Sequence, residues 1–231
     1  MKNLTLPIFL IIIFQLATAQ EIKLENKKLL GGLVNYFTQK NTYPYSNLSI
    51  NSGLGGIYSN SPNDTKNTTF ALTPYFGKEV KQSLIVGLQL DFRIGRYTAD
   101  DIVLFGQTNP VNFERNSNQI GIGIFTRHIL YPNNLLSFYI QPYFNYNLLN
   151  EEEVQNSNIS QEEKVKYFEV GVGLGILYKL NSKIRATLRT GGLNYVNGKW
   201  EIKNTEKENN FSSFGTNINL STIFFGFEIL I

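Results

Sequence analysis

Apolar and polar residues alternate with period two along much of the chain, which is the pattern of strands with two different faces. In the clearest run, 84–95, leucine, valine, phenylalanine and isoleucine occupy the even positions, while glycine, glutamine, aspartate and arginine occupy most odd positions. Similar runs cover 70–76, 119–127, 138–147, 167–179 and 184–189, with a weaker one at 28–38. A last run, 214–231, changes parity near 221–224, as a β-bulge would cause. The pattern predicts about eight strands, many long enough to cross a bilayer.

The connections between these runs alternate in length. Short turns are predicted near 79–83, 131–135 and 181–183, and long polar connections near 39–66, 98–115, 149–164 and 197–212. The segment Leu48–Tyr58 also has strand character, and we place it in the first long connection, where it could extend a hairpin. Short periplasmic turns and long extracellular loops are typical of outer-membrane barrels. The sequence therefore predicts an all-β, antiparallel, up-and-down transmembrane β-barrel with both termini on the periplasmic side.

The first 19 residues have the form of a secretory signal peptide. Lys2 supplies the positive charge, Leu4 to Leu16 form the apolar stretch, and Ala17-Thr18-Ala19 matches the small-x-small cleavage pattern. The apolar stretch is short for a spanning helix, which needs about 20 residues. We expect residues 1–19 to be cleaved and residues 20–231 to form the barrel domain. No later segment resembles a spanning helix, so a membrane location would require a closed barrel.

Composition excludes several classes of protein. The chain has no cysteine, which excludes disulfides and thiolate metal sites. Its net charge of +3 comes without any basic run, so no nucleic-acid partner is expected. Charged residues make up 17% of the chain, below the roughly 25% typical of soluble domains. Without disulfides, the stability of an exported protein has to come from packing, a closed sheet or the membrane itself.

Several stretches resemble the outer membrane protein β-barrel domain family, the small porin-like barrels of the OmpA/OmpX type. The resemblance rests on Gly31-Gly32, on 68–77, on the alternating glycines of 171–175 and on the last seven residues. It implies the outer membrane of a Gram-negative bacterium, with outer membrane lipid and the barrel-assembly machinery as partners. The ending resembles the family's insertion signal, here carried by Phe225, Phe227, Ile229 and Ile231. The family usually ends in an aromatic residue, whereas this chain ends in isoleucine.

Charged and amide residues occur on the face of the strands that is expected to line the lumen. A barrel of about eight strands has an interior just wide enough to be filled by side chains, and unpaired buried charges are costly. We therefore favour a polar plug over a narrow pore or a charged ligand site. The predicted lumen network comprises Asp91, Arg93, Arg127, Glu169, Arg185, Arg189 and Glu228, with Gln89 and Gln141 beside it.

No residue cluster indicates catalysis, and we expect no metal, cofactor or catalytic site. His128 is the single histidine and lies at a predicted strand end, where an interfacial role is expected. The runs Glu151–Glu153 and Glu162-Glu163 would make the third long loop acidic. Such carboxylates could bind divalent cations, although a solvated loop is the simpler interpretation.

Four hypotheses about function follow. The first is a monomeric, non-enzymatic outer-membrane barrel with a structural or surface-interaction role, whose surface ligand the sequence does not identify. The others are a small porin, a lipid-modifying barrel enzyme that uses His128, and a soluble lipocalin-like carrier. The direction of the apolar faces separates the last from the rest, since a membrane barrel turns them outward and a soluble carrier turns them inward.

Overall fold

The computed structural model describes residues 27–43, 63–81, 83–102, 111–156, 158–203, 208–216 and 222–231. Nearly all of these residues lie in strands, and every neighbouring pair is antiparallel. Within these ranges there is no helix with the length and hydrophobicity needed to cross a membrane. The strands are β1 (Lys28–Tyr43), β2 (Asn63–Lys81), β3 (Leu84–Ile102), β4 (Val111–Leu130), β5 (Leu136–Gln155), β6 (Asn158–Lys179), β7 (Ile184–Ile202), β8 (Glu208–Thr216) and β9 (Phe224–Leu230).

The strands form a ring in which each strand from β1 to β7 pairs with the next along the chain, and β9 closes the ring between β7 and β1. Strands β8 and β9 share the eighth position. Strand β8 pairs with Leu193–Glu201 of β7. Strand β9 lies between Ile184–Arg189 of β7 and the beginning of β1. The predicted up-and-down barrel of about eight strands is confirmed. We call the end at which β1 begins and β9 ends the lower end, and the opposite end the upper end.

The parity change predicted in the last run falls between β8 and β9. Phe214 and Phe225 both face outward although their positions differ by an odd number, and they are 73% and 59% exposed. The predicted turn at 131–135 matches the connection between β4 and β5. The predicted signal peptide and Leu48–Tyr58 lie outside the described residues.

The strands extend further at the upper end than the sequence predicts. Only residues 156 and 157 separate β5 from β6, so the predicted long connection over 149–164 is wrong. Glu151–Glu153 and Glu162-Glu163 therefore lie on strands rather than in a solvated loop, with Glu151 opposite Glu163 and Glu152 opposite Glu162. The prediction failed because both faces of these hairpin strands are polar. The alternation of apolar and polar residues is then lost, while the backbone hydrogen bonds between the two strands continue.

The two faces of the barrel differ sharply in composition. Apolar side chains in the middle of the strands point outward, as shown by Leu88, Ile122 and Ile124 at 55%, 56% and 57% exposed. The opposite face packs inside the ring, where Leu29, Leu33, Ile85, Phe125, Ile129, Tyr139, Leu177 and Leu230 form the apolar core.

Inward-facing glycines make room for aromatic rings from neighbouring strands. A Cβ atom added to Gly31 would lie 2.5 Å from Cζ of Tyr75, and one added to Gly87 would lie 2.5 Å from Cζ of Phe125. Gly171 and Gly175 lie in the same way against the rings of the tyrosines on β5. The glycines on the inner face are thus needed for packing. A large side chain can fill the lumen only beside a strand position that has no side chain of its own.

Candidate functional site

The lower part of the lumen is occupied by a buried ion pair. Arg127 of β4 donates from Nη1 to Oε2 of Glu228 on β9 at 2.5 Å, and both side chains are 0% exposed. Tyr75 donates its hydroxyl to the same carboxylate oxygen at 2.9 Å, and Oε1 of Gln141 accepts from Nε of Arg127 at 2.9 Å. Four strands thus contribute to one hydrogen-bonded group, which makes a fully buried charge pair tolerable.

Aromatic rings and a second arginine surround this pair. The guanidinium of Arg127 lies 4.5 Å from the ring centroid of Tyr139 and 5.1 Å from that of Tyr75, distances at which a cation is attracted to a ring face. Nη2 of Arg185 on β7 lies 3.5 Å from Oε1 of Glu79, and its Nη1 lies 3.5 Å from Oε1 of Glu228. We call Arg127, Glu228, Arg185, Glu79 and Tyr75 the lower cluster.

The middle of the lumen holds two carboxylates that are bound by neutral donors. Asp91 accepts hydrogen bonds from Thr73 at 2.7 Å and from Asn145 at 2.8 Å, with Gln89 more distant at 3.3 Å. Glu169 accepts from the hydroxyl of Tyr143 at 2.8 Å and from Asn194 at 3.0 Å. No arginine completes an ion pair with either carboxylate among the described residues.

Arg93 and Arg189 also face inward, on the opposed strands β3 and β7. The guanidinium of Arg189 lies 5.1 Å from the ring centroid of Phe224. Arg93 is exposed and forms no hydrogen bond or ion pair with a described residue. The seven residues of the predicted lumen network all occupy inward-facing strand positions. Among the described residues, Arg127, Arg185 and Glu228 of this set form ion pairs.

A third group of charges lies in the upper part of the barrel, where the sequence predicts only loops. Arg115 donates to Glu153 from Nε at 3.1 Å and also from Nη2. Glu163, which is 7% exposed, accepts from Nε1 of Trp200. Burial raises the pKa of the neighbouring Glu151. This group could have been found from the sequence by extending the inward–outward alternation of β4 and β5, which places Arg115 and Glu153 at inward-facing positions.

His128 lies on the outer face at the lower end, opposite Leu84 on β3. Its side chain forms no hydrogen bond with a described residue. In the lipid-hydrolase alternative, His128 would activate a serine within hydrogen-bond reach. No hydroxyl group of a described residue forms a hydrogen bond with its ring. They also contain no group of three or more His, Asp or Glu side chains that could hold a metal ion.

The outer face carries a continuous apolar belt around the ring. At its outward positions between the two ends, the described strands carry no Lys, Arg, Asp or Glu. The residues of the predicted insertion signal, Phe225, Phe227, Ile229 and Ile231, belong to it and are 59%, 63%, 45% and 72% exposed. We define the belt by these four residues and by Leu30, Val34, Phe70, Leu72, Phe76, Val86, Leu88, Leu90, Phe92, Ile94, Ile120, Ile122, Ile124, Phe138, Ile140, Phe144, Leu148 and Leu174.

Matches to known proteins are found only among solved structures. No family model matches the chain, and no curated protein matches it. Among solved structures, the chain is similar to the outer membrane protein OprG from Pseudomonas aeruginosa, with 13% sequence identity and a TM-score of 0.48. The match covers 92% of this chain and 98% of that one. The resemblance to the OmpA/OmpX-type family thus stays a prediction, whereas the barrel fold that it implied is confirmed by the strand pairing.

Proposed function

We propose that this protein is a monomeric outer-membrane β-barrel whose lumen is closed in its lower half. It acts without enzymatic chemistry, as a component of the envelope that presents its upper hairpins to the exterior. The observation that carries this proposal is the apolar belt. If the protein were soluble, the side chains of this belt would present a large continuous apolar surface to water.

The belt supports a lipid environment on two grounds. Its side chains surround the ring rather than forming one patch, so a single protein partner could not cover them. On β3 the belt runs from Val86 to Ile94, about 26 Å along the strand at roughly 3.3 Å per residue. A strand tilted as in known barrels then spans most of the apolar band of about 25 Å. The outward direction also argues against a soluble lipocalin-like carrier, which would gather these side chains inside.

The lower cluster supports a closed lumen rather than a pore. Arg127, Tyr139, Phe125 and Gln141 are among the largest fully buried side chains. They lie on the adjacent strands β4 and β5, and Arg127 reaches across the interior to Glu228 on β9. A conducting path would have to pass through the Arg127–Glu228 pair, neither of whose side chains is exposed. This arrangement favours a non-conducting barrel over the porin alternative.

Refolding into zwitterionic lipid vesicles tests the membrane location. We expect the folded protein to migrate differently on a gel before and after boiling, and to need detergent or lipid to stay in solution. Ile122→Arg places a charge in the belt and should lower the free energy of unfolding by about 2–4 kcal/mol, whereas Ile122→Leu should change it little. A wild-type protein that is folded and monomeric in water without detergent would refute the proposal.

Planar-bilayer recording tests the closed lumen separately. The inserted wild-type protein should give no discrete conductance steps. Reproducible single-channel steps would overturn the closed lumen in favour of the small porin, while leaving the membrane location intact.

A further inference from the structure

Among the described residues, three pairs of lysines face each other directly across neighbouring strands on the outer surface. Residues directly opposite in antiparallel strands have Cβ atoms about 4.5–5.5 Å apart, and like charges at such positions are destabilising. Each pair therefore needs a counter-charge. The pairs are Lys40 with Lys66, Lys166 with Lys199, and Lys28 with Lys78.

The two pairs near the upper end have their counter-charges within the protein. Nζ of Lys40 lies 3.2 Å from a carboxylate oxygen of Asp64. Nζ of Lys166 lies 3.0 Å from Glu201, and Nζ of Lys199 lies 3.7 Å from Glu208. Cross-strand repulsion is thus offset by carboxylates on the same face of the barrel.

The pair at the lower end differs in this respect. Neither Lys28 nor Lys78 has an ion-pair or hydrogen-bond partner for its ammonium group among the residues that the structure describes. Both side chains are exposed. The two described carboxylate side chains at this end, those of Glu79 and Glu228, are 1% and 0% exposed because they point into the lumen. No described side chain supplies a counter-charge for this pair, which leaves its ammonium groups open to an anion from another molecule.

The position of the pair indicates which molecule supplies that charge. Lys28 and Lys78 each lie two residues below a belt residue, Leu30 and Phe76, on the same outward face. The apolar stems of lysines placed there run along the belt, while the ammonium groups reach the headgroup level. An anion bound between them is thus in contact with the lipid-facing surface, a position that fits a lipid phosphate better than a soluble anion.

We propose that Lys28 and Lys78 together bind the phosphate of an anionic glycerophospholipid in the leaflet at the lower end of the barrel. This inference rests on the membrane location proposed above and names one lipid contact within it. Two ammonium groups at this spacing can both donate to the oxygens of one phosphodiester, and such charge-assisted hydrogen bonds are stronger than neutral ones. A zwitterionic lipid would bind less well, because its own cation competes for the phosphate.

Native mass spectrometry of the folded protein in a neutral detergent tests the proposal. The protein is titrated with dioleoyl-phosphatidylglycerol or with dioleoyl-phosphatidylcholine, and bound lipid is counted. Lys28→Gln/Lys78→Gln is compared with Lys40→Gln/Lys66→Gln, which removes the same charge from a pair that has its own carboxylate. Gel migration before and after boiling establishes that each variant is folded.

We expect the wild type to prefer phosphatidylglycerol. Lys28→Gln/Lys78→Gln should weaken that binding about 10- to 30-fold, since each lysine near a membrane surface contributes about a fivefold factor. The control pair should stay within about twofold of the wild type, because Lys40 already has Asp64 as a carboxylate partner. Unchanged phosphatidylglycerol binding by Lys28→Gln/Lys78→Gln, or equal binding of the two lipids by the wild type, would overturn the lysine site alone. Failure of the wild type to fold in lipid or detergent would overturn the membrane location and the site together.

Discussion

Replacing Glu228 by glutamine is the sharpest test of the lower cluster. The substitution keeps the size of the side chain but removes the negative charge that faces Arg127 at 2.5 Å and Tyr75 at 2.9 Å. It also places an amide that donates hydrogen bonds where the carboxylate only accepted them. Because both members of the pair are 0% exposed, water cannot replace the lost interaction. Breaking one partner of a buried pair costs about 3–5 kcal/mol, and we expect Glu228→Gln to lower the free energy of unfolding by that amount.

Urea unfolding of the refolded protein in detergent measures this difference. The fluorescence of Trp200, the single tryptophan, and the fraction of folded protein on an unboiled gel give two independent signals. Glu208→Gln serves as the matched control, since it removes a carboxylate from an exposed pair with Lys199 and should cost less than about 1 kcal/mol.

A double variant separates a lost charge from lost packing. Arg127→Met/Glu228→Met replaces both ions by apolar side chains and should be markedly more stable than Glu228→Gln, because no unpaired ion stays in the lumen. If Glu228→Gln instead lies within about 1 kcal/mol of the wild type, water reaches the pair. The reasoning that the lower lumen is closed would then be refuted.

Two further predictions concern packing and pH. Gly175→Ala should destabilise the barrel by about 1–3 kcal/mol, because the new Cβ would overlap a buried tyrosine ring. Gly215→Ala should be neutral in the same urea assay, because a Cβ added there has no other atom within 4 Å. Hydrogen bonds from Arg96 and Asn116 lower the pKa of Glu114, above the belt, below its ordinary value of 4.5. Its stabilising contribution is therefore complete above the ordinary pKa and is lost as the pH falls through the lowered one. Glu114→Gln should make the acid side of the stability curve shallower as the pH falls below the ordinary pKa of 4.5, and an unchanged slope would contradict that assignment.

The strands and their faces could be read from the sequence wherever one face is apolar. Leu88 and Ile122 were expected outside and Arg93 and Arg127 inside, and the structure places them so. The same signal failed above the belt, where β5 and β6 are polar on both faces. Strand length there depends on backbone hydrogen bonds that continue between Glu151–Gln155 and Asn158–Glu163 whatever the side chains are.

The pairing of the lumen charges could not be predicted in the same way. Arg127 and Glu228 are separated by 101 positions in the chain, and their contact depends on closure of the ring between β1 and β9. Parity places a charge inside but says nothing about its height along the barrel, which is set by the tilt and stagger of the strands. For this reason Arg127 has an ionic partner whereas Arg93 has none among the described residues.

The sequence by itself determined that the chain forms a two-faced sheet, since period-two alternation is a local property of each strand. Only the tertiary structure decided that the apolar face is the outer one, which charges neutralise one another, and which have no partner among the described residues. Lys28 and Lys78 are 50 positions apart, and they become neighbours only when β1 and β2 pair in one register. Glu79 lies next to Lys78 in the chain but points to the other face. Closure of the sheet puts that carboxylate in the lumen and leaves the two lysines outside.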